Sequence, residues 1–146
     1  MVEIEIRQGS ILDAGTDAIV NAANSIGVMG GGVAGVIRKA AGETVEREAI
    51  KKGPTSVGKA AVTTAGHLGF KGIIHAPTME RPAMLIPASN VGKATHAALQ
   101  AAEHEKFASV AIPGLGTGVG GVSSAEAARE MAQAIRNFKN KHIKKV

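Results

Sequence analysis

The sequence predicts a three-layer α/β fold, with a largely parallel or mixed sheet of about six strands between helices. Short aliphatic runs alternate along the chain with alanine-rich stretches of helical period, which is typical of a sheet covered on both faces. Glycine clusters follow two of the aliphatic runs. At 146 residues the chain has the length of one domain, and we expect a single domain over residues 1–146.

The individual elements follow from these patterns in chain order. The first strand alternates acidic and aliphatic residues and the later ones are short aliphatic runs, which predicts strands at residues 2–7, 18–22, 60–64, 73–76, 110–112 and 142–146. Helical spacing predicts helices at residues 33–41, 44–52, 91–105 and 125–138. The last helix has a defined start, because Ser123 and Glu126 have the spacing of a capping box.

Composition narrows the possible function classes. Seventeen Lys and Arg against twelve Asp and Glu give a net charge of +5, which favours polyanionic partners such as nucleic acid. Only three Phe and no Trp or Tyr are available to stack on bases, which weakens an interpretation as a single-strand binder. No apolar run approaches the roughly 18–20 residues that span a bilayer, and no signal peptide opens the chain. We therefore expect a cytoplasmic protein without a membrane partner.

Two glycine clusters, each between a strand and a helix, carry the strongest chemical signal. The first is Gly30-Gly31-Gly32, before Val33, and the second occupies residues 114–121. Glycine lets the backbone approach a ligand closely, and free N–H groups at the positive end of a helix form a site for phosphate. One such loop is equally well a tight turn, but two at the carboxyl ends of strands indicate a ligand with two phosphates.

Three other patterns lack a feature that the corresponding binding site requires. Gly116, Gly118 and Gly121 have the spacing of a dinucleotide fingerprint, but no acidic residue follows about 20 positions later. Residues 53–59 have the spacing of a P-loop, but Ala60 replaces the hydroxyl that holds magnesium, and a helix precedes where a strand is required. Five scattered histidines and the absence of cysteine give no metal-ligand spacing, so we expect neither metal nor cofactor.

The order of the motifs resembles that of the macro domain family. QGSIL at residues 8–12, DAIVNAAN at 17–24, GGGV at 30–33, AAG at 40–42 and GLGTGVGGV at 114–122 are similar to its successive motifs. The combination of the second and third is highly specific, and together the five cover most of the chain. The resemblance implies a mixed six-stranded sheet between helices, with ADP-ribose in a cleft along one edge.

The resemblance also implies a role for each matching residue. Ser10 and Ile11 would meet the adenine, Ile11 through its backbone N–H. The two glycine loops would share the diphosphate, and Asn24 would contact the distal ribose, whereas Asn21 is expected to be structural. The predicted ligand-binding set is Ser10, Ile11, Asn24, Gly30, Gly31, Gly32, Val33, Gly114, Leu115, Gly116, Thr117, Gly118 and Val119.

Two departures from the family pattern predict modest affinity. Members usually carry an Asp at the position of Ser10, where it accepts a hydrogen bond from the adenine amino group. The uncharged hydroxyl of Ser10 accepts more weakly. The second loop usually carries an aromatic residue at the position of Gly120, where it packs on the distal ribose.

The choice between binding and catalysis depends on two further positions. In one enzymatic branch of the family, GGGV is followed by Asp and, four residues later, by His; here those positions are Ala34 and Arg38. Neither side chain can act as a general base. We therefore expect a binding module for ADP-ribose or an ADP-ribosylated molecule. The alternatives are a weak ADP-ribosyl hydrolase or ADP-ribose 1-phosphate phosphatase, with Asn24 and a phosphate-held water, and an RNA-binding variant of the fold.

Overall fold

Four strands and four α-helices make up the fold. The computed structural model describes residues 2–146. The elements are β1 (Ala18–Asn24), α1 (Gly32–Ala41), α2 (Glu43–Lys52), β2 (Ala61–Thr63), β3 (Gly72–Met79), α3 (Ser89–His104), β4 (Val110–Ala111) and α4 (Ser124–Asn137). A 3-10 turn at Ile11–Asp13 precedes β1. The four predicted helices are thus confirmed to within one or two residues at each end.

The sheet is mixed, as predicted, with the strand order β2-β3-β1-β4. β1 runs parallel to β3 from Ala18 onward and parallel to β4, whereas β2 runs antiparallel to β3. β1 and β3 are longer than predicted, because their parallel pairing continues to Asn24 and Met79. All eight residues of β3 are buried, as expected for a strand covered on both faces.

The sheet has four continuous strands where about six were expected, and the two terminal segments join it through single bridges. Lys145 bridges in parallel to Glu3 on one side and to Ser109, just before β4, on the other. The Glu3 N–H donates to the Lys144 carbonyl, and the Val146 N–H donates to the Glu3 carbonyl, both at 2.9 Å. Pairing ends after a few residues because only Val2 of the predicted first strand is buried, while Ile6 is 94% exposed.

Alternate residues of the central strands point to opposite layers of helices. Ile19 of β1 and Ile73 of β3 pack with the buried residues of α1 and α2. Val20 and Ile74, their neighbours in sequence, pack with those of α3 and α4. The three-layer arrangement follows directly from this alternation, since each face of the sheet is covered by one pair of helices.

A crevice is expected at the carboxyl ends of β1 and β4, which lie side by side in the sheet. The chain leaves β1 for α1, which packs on one face, and leaves β4 for α4, which packs on the other. Loops that diverge in this way create the point at which open α/β sheets bind ligands. Both glycine clusters lie in these two loops.

Candidate functional site

The first glycine loop leads into a helix whose amino end is uncapped. Gly31 occupies the N-cap position of α1 and has no side chain to accept a hydrogen bond, and the first turn contains no acidic residue. The first N–H groups of the helix therefore keep their donor capacity and its positive partial charge is not offset. Gly30, Gly31 and Gly32 are exposed and Val33 is half-buried. The loop can thus present several backbone donors to an anion.

The second glycine loop is held together by its own hydrogen bonds. The Thr117 hydroxyl donates to the Gly114 carbonyl at 2.8 Å, and the Val122 N–H donates to the Gly116 carbonyl at 3.0 Å. Leu115, one of the predicted ligand contacts, is 0% exposed and packs in the core. Residues 117–119 face solvent at the tip of the loop, and Gly114 and Gly121 are exposed at its two ends.

The amino end of α4, which follows the second loop, is capped by a side chain of the protein itself. The Ser123 hydroxyl accepts the Glu126 N–H at 3.2 Å and lies 3.0 Å from the Glu126 carboxylate. The predicted cap is therefore present, with the Glu126 side chain directed to the hydroxyl. An acidic residue in the first turn also offsets the positive end of the helix. The two helices thus differ, because the positive amino end of α1 is not offset by a cap or an acidic residue whereas that of α4 is.

Some glycines of the loops have no structural need to be glycine. Gly31 has a φ of −153°, and a Cβ built on Gly31 or Gly118 meets no atom of the protein within 4 Å. Gly116 is different, because its φ is +74° and a Cβ would lie 2.8 Å from Val91. A Cβ on Gly120 would lie 2.7 Å from the Gly116 carbonyl oxygen. The fold thus explains Gly116 and Gly120, but it does not explain Gly31 and Gly118.

Asn24, the last residue of β1, organises the loop that follows it. Its amide oxygen accepts the N–H groups of Ile26 at 3.1 Å and Gly27 at 3.0 Å. Its amide nitrogen donates to the Val28 carbonyl at 2.8 Å. The side chain is largely buried, with the residue 9% exposed. Asn24 therefore fixes the conformation of the segment that leads from β1 to the first glycine loop.

The predicted adenine contacts lie on the 3-10 turn. Ser10 is exposed, and its hydroxyl accepts the Leu12 N–H at 3.2 Å, which caps the turn. Ile11 is half-buried and packs against the cluster under α1 and α2. Ser10 is therefore accessible to a ligand, although its hydroxyl oxygen already has one hydrogen-bond donor.

Asn21 belongs to a buried polar chain beneath this region, as its predicted structural role requires. Its amide nitrogen lies 3.1 Å from His75 Nδ1, and His75 Nε2 lies 2.9 Å from the Thr63 hydroxyl. The Asn21 amide oxygen is buried without a hydrogen-bond partner. Burial, and secondarily the charge of Lys52, lower the pKa of His75 to about 4. His75 is therefore neutral at physiological pH.

The two positions that would carry acid-base groups in enzymes of this pattern hold no such chemistry. Ala34 is buried in α1. The Arg38 guanidinium pairs with carboxylates of α2, its Nε lying 3.1 Å from Glu46 Oε1 and its Nη2 lying 3.5 Å from Glu43 Oε1. The Met29 N–H donates to Glu46 Oε2 at 2.6 Å. Sequence patterns did not single out Glu46, since it lies 17 residues from Met29.

Two cavities lie outside the predicted contact residues. One, of about 610 Å³, is lined in part by Ser25 and Ile86, and the Ile86 N–H donates to the Gly120 carbonyl at 3.0 Å. This cavity therefore borders the second glycine loop. The other, of about 590 Å³, lies beside β2 and includes Lys52 and Lys59. No residue of either glycine loop lines these two cavities.

Within residues 2–146, no three His, Asp or Glu side chains are gathered as a metal ion would require. None of the helices in this range combines the length and the apolar character that crossing a membrane demands.

Comparison with known proteins gives a consistent family match. The family model described as Macro domain matches residues 20–131. An uncharacterized protein of Aquifex aeolicus is 56% identical over 145 residues, which cover 99% of this chain and 88% of that protein. An uncharacterized protein of Aeropyrum pernix is 45% identical over 138 residues, which cover 94% and 73%.

Solved structures show the same similarity. The macrodomain of Mycobacterium tuberculosis DarG has a TM-score of 0.84 and 28% identity, over 100% of this chain and 97% of that chain. A Trypanosoma brucei macrodomain in complex with ADP-ribose has a TM-score of 0.81 and 28% identity, over 92% and 56%. The fold of this chain is therefore shared with these structures over nearly its full length.

Proposed function

Since the chain belongs to the macro domain family, we propose that it binds ADP-ribose, with its two glycine loops sharing the diphosphate. The observation that carries this proposal is the unexplained glycine in each loop. Gly31 and Gly118 have free space on their Cα atoms and no positive φ that would demand glycine. Close approach of a ligand to the backbone accounts for both.

The crevice also suggests a position for each part of the ligand. The uncapped end of α1 and its N–H groups support one phosphate, and residues 117–119 support the other. The adenine would lie over the turn at Ser10 and Ile11, and the distal ribose near Asn24. A Trypanosoma macrodomain of the same fold was solved with ADP-ribose, which supports this class of ligand.

The test compares three glycine variants by calorimetric titration with ADP-ribose. We expect the wild type to bind at about 1 μM, or about −8 kcal/mol. Gly31→Ala and Gly118→Ala should each weaken binding about tenfold or more, because an added methyl in a close contact costs ~1–3 kcal/mol. Gly69→Ala is the matched control, since its Cβ also meets no atom within 4 Å and it lies before β3, at the opposite edge.

Two outcomes would contradict the proposal. Wild-type affinity in both loop variants would mean that the ligand does not approach the glycine backbone. Equal affinity of the wild type for AMP and ADP-ribose would refute the use of two loops, since AMP has one phosphate and no distal ribose. Gly69→Ala should bind like the wild type, and an equal loss of affinity in this control would mean that the loss in the loop variants does not come from contact with the ligand.

We favour binding over hydrolysis because Ala34 and Arg38 leave no acid-base pair beside the first glycine loop. The slow hydrolase alternative would depend on Asn24 to orient the distal ribose. An ADP-ribosylated protein is incubated with the wild type and with Asn24→Ala, and released ADP-ribose is measured. We expect no release above the protein-free control. Release by the wild type that Asn24→Ala abolishes would establish the hydrolase instead.

A further inference from the structure

We propose that Glu46 is a positioning residue that sets the geometry of the first glycine loop. Met29 directly precedes the loop, and its N–H donates to Glu46 Oε2 at 2.6 Å. A hydrogen bond to a carboxylate is stronger than one between neutral groups. Met29 itself is 1% exposed, so its side chain and its backbone are both fixed. The inference rests on the proposed function, in which this loop holds a phosphate.

The second oxygen of the same carboxylate is bound to the helix that leaves the loop. Arg38 of α1 places its Nε 3.1 Å from Glu46 Oε1, while the Glu46 side chain is only 17% exposed. The Nε–H is not aligned for a hydrogen bond, so the interaction is an ion pair. Partial burial shields this pair from screening by salt. Glu46 therefore links the start of the loop to the helix at its end.

The loop needs such an anchor because its own residues supply none. Gly30, Gly31 and Gly32 have no side chains to pack, and their Cα atoms face open space. Backbone donors bind an anion best when they are held in place before the ligand arrives. Arg38 thus acquires a role at a position where enzymes of the family carry a catalytic histidine. It orients Glu46, and Glu46 orients the donors.

The experiment compares Glu46→Ala with Glu43→Ala, a matched control on the same helix. Glu43 also contacts Arg38, at 3.5 Å, but accepts no N–H from the loop. In Glu46→Ala we expect the Met29 amide to exchange about tenfold faster or more, and ADP-ribose affinity to fall about tenfold, since one charge-assisted hydrogen bond is lost. AMP affinity should fall less, whereas general destabilisation would lower both together. Glu43→Ala should leave exchange and affinity within about twofold of the wild type.

Each result has a defined meaning. ADP-ribose affinity in Glu46→Ala equal to that of the wild type overturns the inference. If the wild type itself does not bind ADP-ribose, the proposed function fails, while faster Met29 exchange in Glu46→Ala alone still supports the anchor. If Glu46→Ala does not fold, Arg38→Met provides the test, because it leaves the carboxylate in place but removes its ion pair. Unchanged exchange and affinity in Arg38→Met would then contradict the anchor.

Discussion

Asn24 uses most of its hydrogen-bonding groups within its own loop. Its amide oxygen accepts two backbone N–H groups and its nitrogen donates to the Val28 carbonyl, which leaves one N–H of the amide. The resemblance implies that this amide contacts the distal ribose. The structure leaves it only as a donor, so a hydroxyl that contacts Asn24 must accept.

Ser10→Asp should strengthen ADP-ribose binding by about 1 kcal/mol, roughly fivefold, because a carboxylate accepts from the adenine amino group more strongly than a hydroxyl. The Ser10 oxygen already accepts the Leu12 N–H, whereas Asp has a second oxygen free for the ligand. Calorimetry with ADP-ribose and with its inosine analogue provides the measurement. The analogue lacks the amino donor, so its affinity should not rise. An equal gain for both ligands would place Ser10 away from the base.

At the scale of elements, the helices were predictable and the terminal strands were not. Helical period identifies the buried faces of α1 to α4 directly, because each helix packs a single stripe on the sheet. The alternation at residues 2–7 looks equally regular, yet only Val2 reaches the core and Ile6 stays exposed. Period alone does not show whether a face has something to pack against.

Glu103→Ala should lower the free energy of unfolding by about 2 kcal/mol, because the carboxylate accepts three backbone N–H groups of the C-terminal segment. Those of Lys141 and His142 lie at 2.6 Å and that of Ile143 at 3.4 Å. Partial burial opposes ionisation, but the three donors together lower the pKa of Glu103. Its contribution is therefore complete above the ordinary pKa of 4.5 and is lost as pH falls through the lowered value.

The control for this prediction is Glu105→Ala, two residues away on the same segment and more exposed. Urea denaturation followed by circular dichroism suits a chain without Trp or Tyr. Faster amide exchange at residues 141–143 in Glu103→Ala would show that the segment has been released. Equal stability of the two variants would contradict the proposed anchoring of the C-terminal segment.

At the scale of the whole molecule, the lowered pKa of the buried His75 predicts a loss of stability in mild acid. The pKa of His75 is lowered from 6.5 to about 4 by burial and by Lys52, so the unfolded chain binds this proton at a higher pH than the folded one. The free energy of unfolding should therefore fall as pH drops from about 6.5 to about 4, by on the order of 3 kcal/mol in total. Denaturation at several pH values measures the slope.

His75→Gln is the control, because it keeps an acceptor for Asn21 but does not titrate. The slope between pH 6.5 and 4 should flatten in this variant. The contribution of Glu103 to the free energy of unfolding is constant above its ordinary pKa of 4.5 and changes only below it. A slope in the upper part of the window therefore reports on the histidine. The same slope in both proteins would mean that His75 is not the group responsible.

The candidate site was predictable where chemistry is local in sequence. Two glycine clusters after strands predicted both loops, and the motif at residues 17–24 pointed to Asn24 as a candidate site residue. Glu46 was not predictable, because a glutamate on an amphipathic helix is ordinarily solvated and its partner Met29 lies 17 residues away. The bond from the Ile86 N–H to the Gly120 carbonyl depends equally on the tertiary fold.

The ammonium of Lys52, at the end of α2, donates to the Val62 carbonyl of β2, the outermost strand on its side of the sheet. An outer strand with unpaired backbone groups is a template on which a second molecule can add a strand, and a lysine at such an edge opposes that addition. Fraying of the last turn of α2 would move the Lys52 ammonium away from this edge. The unpaired backbone groups of β2 would then be free to pair with a second molecule while the core stays folded. Aggregation of this protein on heating should accordingly begin before global unfolding, and from this edge.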